Sequence, residues 1–304
     1  MKWRRRILPT AAVALALAVV GVFLVPVMIR GPADVISETP AANSGAGPAE
    51  GAAATIQVMT LNLAHGRGEG WHQALAKRST IEANLDEVGK VLRRERPDVV
   101  ALQEADGPSA WSGKFNHVEH LARAAEYAHF FRGEHVRGLK LSYGTALVSR
   151  LPLAEAASHT FAASPPTPPK GFVAARVRWP GRPGLRLNVV SVHLDFSRKS
   201  VRNEQVADLA EHLAKREGPT IVLGDFNSDW SRPDGAVRTL AERLQLRAYE
   251  PAAAKMATFP ETGKRLDWIL ISPPLEFVEY RTLPDPLSDH RAVVAVLKIG
   301  DAKP

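Results

Sequence analysis

The sequence predicts an α/β fold in four layers, two packed mixed β-sheets flanked by helices. Three observations carry that prediction: long strand-like segments, pairs of them adjacent in sequence, and only a few helical segments between them. All of these lie between residues 55 and 300 of a 304-residue chain.

TIQVMTLNL (55–63) is rich in strand formers and opens the series. STIEANLDEVGKVLRRERPD follows, with Ile81, Leu85, Val88 and Leu92 at helical spacing and Pro97 just past the end, the pattern of an amphipathic helix. DVVALQE (98–104) reads as a buried strand, NHVEHLARAAEY (116–127) as a helix, and TALVSR, FVAARVRW and LRLNVVSVHLD as strands. NEQVADLAEHLAKRE (203–217) is helical; TIVLGDFN, RLDWILIS, LEFVEYRTL and RAVVAVLKI complete the strands. SPPTPPKG (164–171) cannot continue a central strand, because proline has no amide proton for a ladder, and is expected as an exposed loop.

Before this domain the chain changes character. Residues 7–29 carry no charge and follow MKWRRR, with Arg30 after them. Twenty-three helical residues rising about 1.5 Å each reach across a hydrocarbon core of about 30 Å. Residues 1–30 are therefore expected to form a transmembrane signal-anchor with its basic end in the cytoplasm and the remainder outside. Secretion after cleavage of a signal peptide is the competing reading. Residues 31–54, rich in Ala, Gly and Pro, read as a flexible linker, and residues 55–300 as the catalytic domain.

The net charge is +7, but residues 1–30 contribute five basic residues and no acid, so the folded part carries only a mild, interspersed excess of base. A duplex-binding face is usually more concentrated, since affinity comes from neutralising adjacent phosphates. The absence of cysteine excludes disulfides, thiolate catalysis and Cys-ligated zinc.

One pattern recurs: an apolar strand ends in Asn, Glu, His or Asp. It places Asn62, Glu104, His193, Asp195, Asp225, Asn227 and Asp267 at strand ends, and Asp289 and His290 before the last strand. Burying an ionised carboxylate costs several kcal/mol unless it is compensated. Several at the ends of buried strands imply a shared polar cavity holding a cation. Oxygen and amide donors without thiolates favour a hard ion, Mg²⁺ or Mn²⁺, beside two imidazoles.

The ordered series TLNLAHG, DVVALQE, YGTALVSR, SVHLDF, GDFNSDW, RLDWILIS and SDHRAV resembles the endonuclease/exonuclease/phosphatase superfamily with its DNase I-like fold. The resemblance implies a Mg²⁺-dependent phosphoric ester hydrolase. It implies Glu104 as principal metal ligand, with Asn62 close to metal and phosphate and Asp289 contributing. It matches Asp225 and Asn227 to the pair that positions water and a phosphate oxygen, His290 to the terminal catalytic imidazole, Asp267 to the carboxylate that orients it, and His193 to a histidine beside the phosphate. The division of acid and base between Asp225 and His290 stays open. His65 and Arg67 lie near the site in sequence, with a turn role as the alternative. Asp195, Asp229, Tyr143 and His117 read as structural, and His129, His159 and His212 as surface or satisfied core residues.

The substrate is expected to be a phosphodiester or phosphate monoester outside the cytoplasm, with a phospholipid headgroup first because a tethered domain meets lipid phosphates at high effective concentration. Extracytoplasmic DNA or RNA is the alternative, and an inactive binding domain a third reading from another class. The N-terminal helix implies the membrane as a partner; no protein partner is implied.

Overall fold

A computed structural model describes residues 55–70, 76–138, 140–253 and 255–300. In chain order these form β1 (Thr55–Asn62), a 3-10 turn (Ala64–Gly66), α1 (Arg78–Glu95), β2 (Val99–Asp106), α2 (His117–Ala124), β3 (His129–Arg137) and β4 (Ser142–Ser149). There follow β5 (Ala154–Thr160), β6 (Gly171–Trp179), β7 (Arg182–His193), α3 (Lys199–Ala214), β8 (Thr220–Asp225) and α4 (Ala236–Leu244). β9 (Arg247–Ala248), β10 (Asp267–Ile271), β11 (Leu275–Thr282) and β12 (Val293–Ile299) close the set.

The strands make two six-stranded mixed sheets, ordered β11-β12-β1-β2-β4-β3 and β5-β6-β7-β8-β10-β9. Only β1–β2 and β7–β8 pair in parallel, each across a connection that contains a helix. Alternation along the strands divides the apolar side chains between layers. Val58, Val99, Ala101, Val189, Ile221 and Ile269 meet between the sheets. Met59, Leu61, Val100 and Leu102 face α1 and α2, while Val190, Val192, Val222 and Leu270 face α3 and α4. The predicted four-layer sandwich is the observed one.

Helix α1 buries Ile81, Leu85, Val88 and Leu92, as their spacing requires, and stops where Arg96 turns left-handed (φ 51°) ahead of Pro97. Asn116 caps α2, its Oδ1 accepting from the amides of Val118 and Glu119. Besides the two-residue β9, three elements lack a sequence signal. β3 mixes Gly133, Arg132 and Glu134 into its run, β5 is an edge strand of small and polar residues, and α4 is nine residues long.

Two expectations need correction. The loop 164–171 is a loop up to Lys170, but Thr167 and Lys170 are buried: Thr167 Oγ1 donates to Asp195 Oδ2, and Lys170 turns inward. The membrane anchor is the larger correction. No helix among the described residues is long and apolar enough to cross a membrane. The longest, α1, has 18 residues and is charged along its exposed side. Segment 1–30, on which the anchor rested, and the linker 31–54 lie outside the described residues. The transmembrane helix, the membrane as partner and the placement outside the cytoplasm are therefore withdrawn.

Two features of the sheets position the site. Cα register aligns Gly171, His193, Asp225 and Asp267 on one rung across β6, β7, β8 and β10. Gly224, beside this rung, has φ +151°, and a Cβ there would stand 2.0 Å from the Val192 carbonyl oxygen, so β7 and β8 close up only around glycine. In the other sheet the β2–β4 register shifts between Leu102 and Ala105, and Glu104 sits inside that irregularity at φ 49°. Such a bulge re-aims a side chain; here Gln103 bonds Ser191 of the facing sheet at 3.0 Å while Glu104 turns to His65 and Lys170.

Candidate active site

Asp225 is the hub. Its Oδ1 accepts from the amide of Asn227 at 2.8 Å, and its Oδ2 lies 3.1 Å from Asn62 Nδ2, 3.3 Å from Asn227 Nδ2, 3.4 Å from His193 Nε2 and 3.9 Å from His290 Nε2. Asn227 adopts φ 48° and anchors its side chain on the Leu194 carbonyl at 3.0 Å. Asn62 Oδ1 accepts from Ala64 N–H at 3.0 Å, which fixes the amide against Asp225. Burial, reinforced by the charge of Asp267 and opposed by His290, pushes the Asp225 carboxyl up to about 7.

His290 Nδ1 and Asp267 Oδ2 are 2.8 Å apart. Thr258 Oγ1 accepts from the amides of Leu266 and Asp267 and so steadies the start of β10. Burial disfavours the imidazolium, but the carboxylates of Asp267 and Asp225 outweigh it and raise His290 to about 10. His193 goes the other way: burial and the neighbouring Lys170 ammonium hold it well below the ordinary imidazole value.

Glu104 faces cations. His65 Nε2 lies 3.3 Å from its Oε2 and Lys170 Nζ 3.9 Å from its Oε1. Burial would raise this carboxyl, yet His65, Lys170, His193 and Arg67 together bring it down to about 2. Asp289 is held by Arg67 and by Ser288 Oγ at 3.0 Å. Of the eight residues expected at the site, Asn62, Asp225, Asn227, His193, Asp267 and His290 thus form one bonded group. Glu104 joins it through Lys170, which lies 3.2 Å from His193 Nε2. Asp289 stands beside His290 in sequence with its side chain turned to Arg67.

Four further residues belong to this neighbourhood. His65 Nδ1 meets Asp106 Oδ1 at 2.8 Å while Nε2 faces Glu104, and its ring stands edge-on to Tyr143 at 4.7 Å. Burial lowers its affinity for a proton, but the charges of Glu104 and Asp106 more than reverse that, so His65 lies above the usual imidazole value. Its φ of 58° is unusual for a non-glycine residue and marks a position held by its surroundings. Lys170 is buried, which lowers its pKa against the pull of Glu104, Asp225 and Asp195. Arg67 and Asp106 complete the set. AHGRG in the first motif was the available signal for His65 and Arg67; nothing local marks Lys170, which arrives from a proline-rich loop.

The residues fit a cation. Carboxylates of Glu104 and Asp106 flank His65, those of Asp225 and Asp267 flank His290, and Asp267 Oδ1 and Asp106 Oδ2 are buried without a hydrogen-bond partner. Asp225, Asp267 and His290 each bring one potential ligand atom within 4.8 Å of the others. Buried acceptors of this kind are stabilised by a positive charge.

Comparison with known proteins agrees with this geometry. The profile of the Endonuclease/Exonuclease/phosphatase family matches residues 59–290. A UPF0294 protein of Klebsiella pneumoniae is 33% identical over 121 residues, 39% of this chain, and the chain spans only about two fifths (40%) of that curated relative's length. An endonuclease/exonuclease/phosphatase from Beutenbergia cavernae superposes with a TM-score of 0.65 at 22% identity, covering 82% of this chain and 72% of that one. A mannosyl-6-phosphatase from Bacteroides thetaiotaomicron gives 0.60 at 16% identity, with 80% and 99% covered. At these identities the structural likeness is one of fold.

Proposed function

The chain belongs to the endonuclease/exonuclease/phosphatase family, and from that membership we propose that it is a divalent-metal-dependent phosphoesterase whose substrate is a nucleic-acid phosphodiester. The observation that carries the chemistry is the Asp225 carboxylate ringed by Asn62, Asn227, His193 and His290 at 3.1 to 3.9 Å. Hydrolysis of a phosphate ester needs an activated water, stabilisation of developing charge and help for the leaving oxygen.

Asp225 takes the proton of the attacking water, and Asn227 orients that water and a phosphate oxygen. A carboxylate with a pKa of about 7 accepts a proton near neutrality more readily than an ordinary one. His290, cationic and oriented by Asp267, donates from Nε2 to a phosphate oxygen. His193, neutral, adds a second imidazole contact, and Lys170 places a buried positive charge beside it. Glu104 is proposed as principal ligand of Mg²⁺ or Mn²⁺, and Asn62 and Asp289 as further members of the ligand set. These residues would hold the cation, which would supply positive charge to the nonbridging oxygens and favour ionisation of the attacking water. Presence of the full acid, amide and imidazole set weighs against an inactive binding domain.

Nucleic acid stands ahead of a lipid headgroup because the preference for lipid rested on a bilayer tether, now withdrawn. The rim supports the choice: Phe196, 60% exposed, stands 6.0 Å from Lys170 Nζ and offers a ring face for stacking a base next to a phosphate-binding cation. The test is the full chain assayed with and without EDTA against a generic aryl phosphodiester, plasmid DNA, RNA, sphingomyelin and phosphoinositides. EDTA-sensitive cleavage of DNA or RNA supports the reading. Cleavage of the lipids alone overturns the substrate, and no metal-dependent hydrolysis across the panel overturns the activity.

A further inference from the structure

On the outer face of the second sheet, the side chains of His159, Asp208 and His212 converge. His159 projects from the edge strand β5. Asp208 and His212 stand four residues apart on α3, which puts them on one helix face. His159 Nε2 lies 2.9 Å from Asp208 Oδ2, and His212 Nδ1 lies 3.0 Å from Asp208 Oδ1. The two imidazole centroids are 4.0 Å apart, inclined at 42°. Phe161 and Phe172 pack against the rings, with Phe172 5.1 Å from His159 and 5.8 Å from His212.

We propose that this cluster is a second metal site, distinct from the phosphoesterase centre, that binds a borderline transition ion such as Zn²⁺ through two imidazoles and one carboxylate. The donor types select the ion, since imidazole nitrogen with a single carboxylate suits Zn²⁺ and Co²⁺, whereas Mg²⁺ prefers oxygen ligands and keeps its waters. Bonds of about 2.0–2.1 Å make the edge of a tetrahedron about 3.3 Å. One potential ligand atom from each residue lies within 4.8 Å of the others, so the set closes on a single ion once one Asp208 oxygen turns between the imidazoles and His212 Nδ1 exchanges its 2.9 Å contact with the Asp208 carbonyl for the metal. Side chains about one-third exposed give the ion a way in and leave the fourth position to water. The aromatic walls fix the imidazole planes, limiting the rotamer freedom an ion has to freeze.

Such an ion cross-links α3 to the edge strand β5. That strand leads directly into residues 161–170, the loop that ends in Lys170. The metal therefore fastens the hairpin that delivers this cation to the catalytic cleft, while touching no residue assigned to catalysis.

The full chain, stripped with chelator and dialysed, is titrated with Zn²⁺ and with Co²⁺, beside His159→Ala/His212→Ala and the conservative Asp208→Asn. Bound metal, the visible absorption of Co²⁺ and the melting temperature are read, with circular dichroism to establish that each variant is folded. The expected result is one equivalent more Zn²⁺ bound by the wild type than by the double variant. Zn²⁺ should raise the melting temperature of the wild type and much less that of the double variant, with Asp208→Asn between them. Mg²⁺-supported hydrolysis by the metal-free double variant should match the wild type. Equal binding stoichiometry and equal thermal response in folded wild type and double variant would overturn the site, leaving a carboxylate hydrogen-bonded to two imidazoles.

Discussion

Nδ1 of His290 lies 2.8 Å from Oδ2 of Asp267, and both side chains are buried. A buried imidazole so held has one orientation and one nitrogen, Nε2, left to face Asp225. If the two residues work as a unit, their losses do not multiply. Removal of a positioned acid–base group lowers turnover by about 10²- to 10⁴-fold. His290→Ala is expected to fall in that range, Asp267→Asn somewhat less, and the double variant scarcely below His290→Ala. Steady-state kinetics on the active ester checks this; multiplicative losses would show two independent residues.

Glu104→Gln keeps the shape of the side chain and removes the charge that cationic neighbours hold at a pKa of about 2. Activity should drop steeply and return in part as Mg²⁺ or Mn²⁺ is raised. A variant with normal turnover at low metal would take Glu104 out of the ligand set.

The pH dependence has a sign at each end. His290 is raised from 6.5 to about 10 in the folded chain, so its pairing with Asp267 stabilises the fold fully below about 6.5 and ceases to do so as pH rises through about 10. Asp267→Asn should therefore lower the melting temperature most near pH 6 and least near pH 10. Activity should rise as Asp225 loses its proton through about 7 and fall as His290 loses its own through about 10. Melting curves and kcat/KM measured from pH 5 to about 10.5 decide both; a melting deficit that grows with pH would reverse the charge assignment of His290.

Lys170→Met retains the aliphatic stem and deletes the ammonium beside His193 and Glu104. Loss of one preorganised donor costs about 10²- to 10³-fold in kcat, and that is the expected fall if Lys170 faces the developing phosphate charge. An unchanged kcat with a displaced metal dependence would instead make Lys170 a partner of Glu104 alone.

Gly224→Ala tests the sheet beneath the site. A methyl group 2.0 Å from the Val192 carbonyl forces β7 and β8 apart, and overpacking of this kind costs about 1–3 kcal/mol. The variant should melt lower and lose activity together, since Asp225 is the next residue.

Most of the fold was legible because its strands are continuous apolar runs: β1, β2, β4, β6, β7, β8, β10, β11 and β12 were all anticipated. β3 was not, because Arg132 and Glu134 interrupt it and are accommodated only once they meet Ser142 on β4. β5 was not, because an exposed edge strand needs no apolar face. At the site, residues that end a strand within a motif were readable, and those that depend on chain crossing were not. Lys170 reaches His193 across 23 positions, and although the first motif marked His65 and Arg67, their partners Asp106 and Asp289 lie 41 and 222 positions away. His159 and His212 read as surface or satisfied core residues, since β5 had no signal and only the packing of that strand on α3 brings them together.

His193, Asp225 and Asp267 share one rung of a hydrogen-bonded sheet. A residue on a loop can leave an active site by a local fluctuation, but these three can separate only when adjacent strands part, and opening that breaks several ladder bonds approaches global unfolding in free energy. That part of the site thus has no weak unit of its own, whereas Asn227, His290 and Lys170 come from the loops beside it. Amide protons around Gly224 and Asp225 are therefore expected in the slowest-exchanging class, and the proposed hydrolysis is expected to be lost on heating at the temperature where the sheet itself melts.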